Sequence, residues 1–123
     1  MKLSTTIQSG DWKGEKHVPI IHFPESIQAN TINTLKVSIG DEIAHPNTLE
    51  HHISWIKVFY QAEDSKFPVE IASFNFSAHG EGEILNSPVA STEVSIPKSG
   101  VISAISYCNI HGLWENNKEI VVK

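Results

Sequence analysis

The residues of greatest chemical range in this chain are its one cysteine, Cys108, and its seven histidines, His17, His22, His45, His51, His52, His79 and His111. Nucleophilic pairs, proton shuttles and metal sites all draw on these two types. A histidine taken singly is ordinarily a surface or structural residue, so grouping matters more than number. His17 follows Glu15-Lys16 in a stretch broken by Pro19 and Pro24, which also holds His22. His45 precedes Pro46, His51-His52 opens a β-branched and aromatic run, and Cys108 closes another, with His111-Gly112 just beyond.

Strand geometry sorts these candidates. Neighbours in a strand leave on opposite faces, so only one of His51 and His52 easily reaches a shared site. Cys108 and His111 would also diverge in a regular strand. They share a metal only if the chain turns between them, and Gly112 suits such a turn. A turn there also aims the amides of Ile110 and His111 at the sulfur, which stabilises a thiolate.

Four chemistries compete for this set. A Cys-His nucleophile needs a third orienting group and a pocket, and nothing in the chain specifies them. Structural zinc wants more sulfur in paired C-x2-C spacing, which is absent. Blue copper suits a sandwich with a late Cys-x2-His, but it normally adds a weak axial methionine downstream, and the only methionine is Met1. The fourth is mononuclear iron held by several imidazoles and one thiolate, an electron-rich set suited to redox work.

The elements that must position these groups read as strands. Leu35, Val37 and Ile39 alternate with Lys36 and Ser38 up to Gly40-Asp41, a half-buried strand. His51–Tyr60, Val69–Phe76, Thr92–Ile96, Val101–Cys108 and a short Lys118–Val122 follow, separated by Pro, Gly and Asn turns. Residues 1–16 read as an irregular lead-in, and the stretch from Glu15 to Pro24 reads as a loop because its prolines exclude a helix interior and disfavour a central strand. No apolar period of 3.6 is sustained. The expectation is an all-β, immunoglobulin-like sandwich of about seven strands forming one domain over residues 1–123, with the metal site at loops and strand ends, where sheet termini converge.

Composition excludes some functions. The net charge is −5 and all nine basic residues are lysine, so no clustered basic face for nucleic acid is expected. There is no apolar stretch of membrane-spanning length and no signal-like N-terminal run, which makes cytoplasmic the expected location. One cysteine allows no internal disulfide.

Three segments carry a family resemblance. Glu15-Lys16-His17-Val18-Pro19, then His45-Pro46-Asn47-Thr48-Leu49-Glu50-His51-His52-Ile53, then Cys108-Asn109-Ile110-His111-Gly112-Leu113-Trp114 resemble, in order, the three motifs of superoxide reductase in its single-iron form, neelaredoxin. The resemblance runs from about Trp12 to the C-terminus. It implies one mononuclear iron, with His17, His45, His51 and His111 as equatorial ligands and Cys108 as the axial thiolate. It further implies Glu15 as a sixth ligand to ferric iron and Lys16 beside the open position of ferrous iron. The implied reaction is one-electron reduction of superoxide to hydrogen peroxide, without release of dioxygen, using an external donor such as rubredoxin. Larger relatives, the desulfoferrodoxins, carry an additional four-cysteine iron centre for which this chain has no cysteines. Relatives form dimers or tetramers, so a homo-oligomer is expected. Charge agrees: ferrous iron outweighs one thiolate, and with Lys16 makes a local attractor for an anion on an acidic protein. His22, His52 and His79 have no motif partner, Trp12, Trp55 and Trp114 read as fillers of core or interface, and Glu50 as solvated or supporting.

Overall fold

The computed structural model describes residues 1–123 as eight strands in two sheets. They are β1 (Ile20–His22), β2 (Ser26–Ile27), β3 (Ile32–Ser38), β4 (Ile53–Ala62), β5 (Val69–Asn75), β6 (Val89–Ser95), β7 (Gly100–Cys108) and β8 (Gly112–Val122). One sheet has the order β1-β3-β6 and the other β2-β8-β7-β4-β5. All neighbours run antiparallel except the two-residue pairing of β2 with β8. The all-β sandwich is as expected. Only two short 3-10 turns, Leu3–Thr5 and Glu81–Glu83, interrupt it, and no helix is long and apolar enough to cross a membrane.

The core follows from strand periodicity. In β7, Ile102, Ala104, Ser106 and Cys108 point inward in strict alternation, and all are fully buried. From β3, Leu35 and Val37 meet them across the sandwich without residual exposure. In β4 the inward residues are Ile53, Ile56, Val58 and Tyr60. The odd step from Ile53 to Ile56 is a β-bulge: the register against β7 shifts between Ile53 and Trp55. The extra residue re-phases the strand just where it leaves the loop carrying His51, so that β4 buries its apolar side on both sides of the irregularity.

The strand expected over Thr92–Ile96 runs from Val89 to Ser95, β2 lies outside the expected set, and three further differences lie nearer the candidate site. The proline-flanked stretch read as a loop contains β1, a three-residue strand on the sheet edge, where Pro19 and Pro24 leave no ladder bond unmade. The strand expected from His51 begins at Ile53 instead, because Thr48 and His51 close a turn through reciprocal backbone bonds of 2.9 and 3.2 Å. The last strand starts at Gly112 rather than Lys118. It is the hairpin partner of β7 in unbroken register from Cys108↔Gly112 to Gly100↔Ile120, and that long-range pairing carries the polar run Glu115-Asn116-Asn117 as strand.

Candidate metal centre

Each motif segment arrives at one end of the sandwich by its own device. The Glu15-Lys16-His17 loop is folded back by Asp11, whose Oδ1 accepts the N–H groups of His17 at 2.5 Å and Val18 at 2.9 Å. From the other side the buried Ser106 hydroxyl donates to the His17 carbonyl at 2.8 Å. The His17 ring, fully buried, stacks on Trp114 at a centroid distance of 4.3 Å and 8°. His45 follows the tight turn at Gly40, where φ is +79° and an added Cβ would lie 2.7 Å from the Ile43 carbonyl oxygen and 2.8 Å from the His45 nitrogen. Only glycine makes that approach without displacing backbone. His51 sits in the Thr48–His51 turn.

Cys108 and Gly112 flank a three-residue hairpin loop between β7 and β8, whose last residue is His111 and which Gly112 closes at φ +81°. The loop reverses the side chain of His111 toward Cys108, which a straight strand could not do. The His111 amide donates to Cys108 Sγ at 3.4 Å, and His111 Nδ1 lies 3.9 Å from the same sulfur. The expected contribution of the His111 amide is therefore present, whereas no bond runs from the Ile110 amide to the sulfur.

The side chains converge. Around Glu15 Oε1 stand His17 Nε2 at 3.0 Å, His111 Nδ1 at 3.1 Å, His51 Nε2 at 3.2 Å and His45 Nε2 at 3.6 Å. His17 Nε2 and His111 Nδ1 are 3.2 Å apart. Two overlapping sets, His17-His45-His51-Cys108 and Glu15-His17-His51-His111, each keep their ligand atoms within 4.8 Å of one another. Yet Glu15 Oε1, His45 Nε2 and His51 Nε2 are buried and make no hydrogen bond. Such orphans cost about 1–3 kcal/mol each.

A metal ion resolves the conflict. With metal–nitrogen distances of about 2.1 Å, neighbouring ligand atoms around one ion stand roughly 3 Å apart, which is the spacing seen here. The residues fit a metal. Their protonation also fits. Burial is the main cause that lowers the pKa of both His17 and His45, the latter to about 4, so both rings are neutral near pH 7. His45 Nδ1 donates to the Pro46 carbonyl at 2.7 Å, which fixes the tautomer and leaves the Nε2 lone pair facing the cluster.

Of the expected site residues, Glu15, His17, His45, His51, Cys108 and His111 are brought together and Lys16 is not. Its ammonium donates to the Trp12 carbonyl at 3.1 Å. His22 bonds Ser38 Oγ at 2.8 Å and Asp41 at 3.2 Å, away from the cluster. His52 turns away from His51 and stacks on His79 at 3.5 Å and 3°. His79 is a support: it reaches the Phe76 carbonyl at 2.5 Å and Asn47 Oδ1 at 3.0 Å, holding the far side of the His45–His51 loop. Trp12 contributes to the site in a way its type did not signal, resting edge-on against His17 at 4.9 Å and His111 at 4.7 Å. Asp11 and Ser106 were equally unsignalled, since a carboxylate or hydroxyl that bonds backbone has no motif of its own.

A β-sandwich that gathers imidazoles, a buried cysteine sulfur and one carboxylate on a single point has the donor set of a mixed nitrogen–sulfur metal-binding protein. Comparison with known proteins narrows that class: the desulfoferrodoxin family model matches residues 9–117, and the chain belongs to that family. It is 43% identical to neelaredoxin of Megalodesulfovibrio gigas over 100% of both chains. It is 48% identical to superoxide reductase of Thermococcus kodakarensis over 93% of this chain and 95% of that one. Among solved structures, superoxide reductase in the oxidized state superposes with a TM-score of 0.89 at 41% identity, covering 97% of this chain and 99% of the other. The Ignicoccus hospitalis neelaredoxin does so with a TM-score of 0.88 at 34% identity over 100% of both.

Proposed function

We propose that this chain is a superoxide reductase of the single-iron, neelaredoxin type. Residues 1–123 act as one iron-binding domain, and a rubredoxin-like protein restores the electron consumed in each turnover. The observation that carries this reading is the convergence of four ring nitrogens on one point beside a buried cysteine sulfur, with buried polar atoms that no hydrogen bond satisfies. Full-length similarity to proteins named superoxide reductase and neelaredoxin supports the substrate. His17, His45, His51 and His111 would hold the iron by their neutral rings and Cys108 by its thiolate, with Glu15 covering the remaining side. When bound, the iron supplies the one electron that superoxide takes up, with two protons, to become hydrogen peroxide.

The protein's own residues account for the rest. The His111 amide stabilises charge on the Cys108 sulfur. Glu15, its carboxylate a quarter exposed, can leave the site toward solvent and return, which admits a small anion and then helps expel the product. Lys16 is its alternate: adjacent in the same loop, it swings inward as Glu15 swings out, and brings a positive charge to the entrance of an acidic protein. Assembly into dimers or tetramers and a cytoplasmic location belong to the same reading.

Iron content and superoxide consumption measured on one untagged sample test it. About one iron per chain, with one peroxide formed per superoxide consumed and no dioxygen released, is the expected outcome. Copper in place of iron would point to an electron carrier, and peroxide accompanied by dioxygen to a dismutase; either result overturns the reading.

A further inference from the structure

His51 reaches the cluster from a turn outside regular structure. It lies outside β4, whose ladder with β7 begins at Ile53↔Cys108, and its backbone bonds close locally onto Thr48. Left to those contacts, the Thr48–His51 turn could shift as a unit relative to the hairpin that carries Cys108 and His111. The hydrogen bonds that join the two segments all come from one residue of that hairpin, Asn109. Its side-chain Nδ2 donates to the Glu50 carbonyl at 2.9 Å, its Oδ1 accepts the His52 N–H at 2.8 Å, and its own N–H donates to the His52 carbonyl at 3.2 Å. The bonds bracket His51, falling on the residue before and the residue after it.

We infer that Asn109 is a positioning residue for the metal centre, a clamp that sets the distance of His51 from the Cys108–His111 pair. The inference rests on reading the cluster as a metal site. Its chemistry singles out a primary amide: toward the Asn109 side chain Glu50 presents its carbonyl and His52 its N–H, so the bridging group must carry one donor and one acceptor at the reach of a single methylene. Aspartate meets the His52 N–H but repels the Glu50 carbonyl, and alanine meets neither. Because the bonded backbone belongs to a turn and not to the ladder, losing the clamp costs the core little. The loss appears in ligand geometry, where supporting contacts of this kind change metal affinity by about 10- to 100-fold.

Cobalt(II) binding to the metal-free protein, by competition with a chromophoric chelator, separates these roles from catalysis. Asn109→Ala should weaken cobalt binding by about 10- to 100-fold and shift the visible cobalt spectrum. Asn109→Asp should fall between it and the native chain. The control is Gln61→Ala, which removes an amide–carbonyl bond of 3.0 Å to Ser65 at the far end of β4 and should leave cobalt affinity unchanged. The inference is overturned if Asn109→Ala binds cobalt within about twofold of the native chain, or if Gln61→Ala weakens binding as much. Should Asn109→Ala not fold, Asn109→Asp decides: weakened binding supports the clamp and native affinity removes it. A native chain that takes up no cobalt removes the metal-site reading itself, an outcome distinct from a native chain that binds and an Asn109 variant that binds equally well.

Discussion

Cys108 and Lys16 mark the two ways a single residue serves this site. Cys108 is fully buried at the end of a core strand, and its sulfur is fixed by the fold before any ligand arrives. Replacing it with serine exchanges a thiolate for a poor ligand in the same space. The expected outcome is loss of the thiolate-to-iron absorption band with iron content reduced or retained, and an unchanged visible spectrum would remove Cys108 from the coordination set. Lys16 directs its ammonium to the Trp12 carbonyl rather than to Glu15. Lys16→Ala should therefore leave iron content intact and slow superoxide capture by roughly tenfold or less, chiefly at low ionic strength, where exposed charges act at longest range. Pulse radiolysis across a salt series checks this; a rate equal to the native one at low salt would end the steering role.

At the scale of elements, the site is hung on the end of a sandwich whose opposite end carries its own polar fastening. Tyr60, in the last turn of the β4 ladder, is buried and donates its hydroxyl to the Lys98 carbonyl at 2.5 Å, tying β4 to the β6–β7 turn. Burial is the main reason that its pKa is raised above 10.0, with Glu63 adding to it. The sign follows from proton linkage. Above pH 10 the unfolded chain gives up this proton while the folded one keeps it, so the contribution is whole below that pH and is lost as pH rises through the folded value. Tyr60→Phe should lower stability by about 1 kcal/mol at neutral pH, by loss of the hydrogen bond, and flatten the alkaline fall. Denaturant titrations of both proteins at pH 8 and pH 11 measure it, and parallel pH profiles would refute the assignment.

For the molecule as a whole, metal and fold should stabilise one another. Three ligand-bearing segments, distant in sequence, meet only through the cluster and its supports, and without an ion the buried Glu15, His45 and His51 atoms have no partner. An ion bound a thousandfold above its dissociation constant adds about 4.1 kcal/mol. Chelation should lower Tm by about 10 °C or more, restored by iron, as read by calorimetry. An identical Tm with and without metal would mean that the cluster is not a binding site.

Strand periodicity made β3, β4, β5 and β7 legible from the chain, because a half-buried strand writes its inside and outside into alternate residues. The ligand types were legible too: Gly112 announced the turn that lets Cys108 and His111 face one point, and Pro46 the loop around His45. What local sequence could not express were features created by pairing at long range. The whole of β8 is strand because β7 lies beside it, β1 is strand because it found an edge, and His51 fell outside β4 because the Thr48 turn outcompeted the ladder. The same holds for the supports. Asp11, Ser106 and Asn109 act through backbone groups far away in sequence, and a hydrogen bond to a distant carbonyl leaves no pattern in the residues around its donor. Sequence determined which atoms were available to a metal; only the tertiary structure decided that Glu15 would lie against the four imidazoles while Lys16 bonds the Trp12 carbonyl, because the path of one short loop, pinned by Asp11 and Ser106, sets where each of two neighbouring side chains goes.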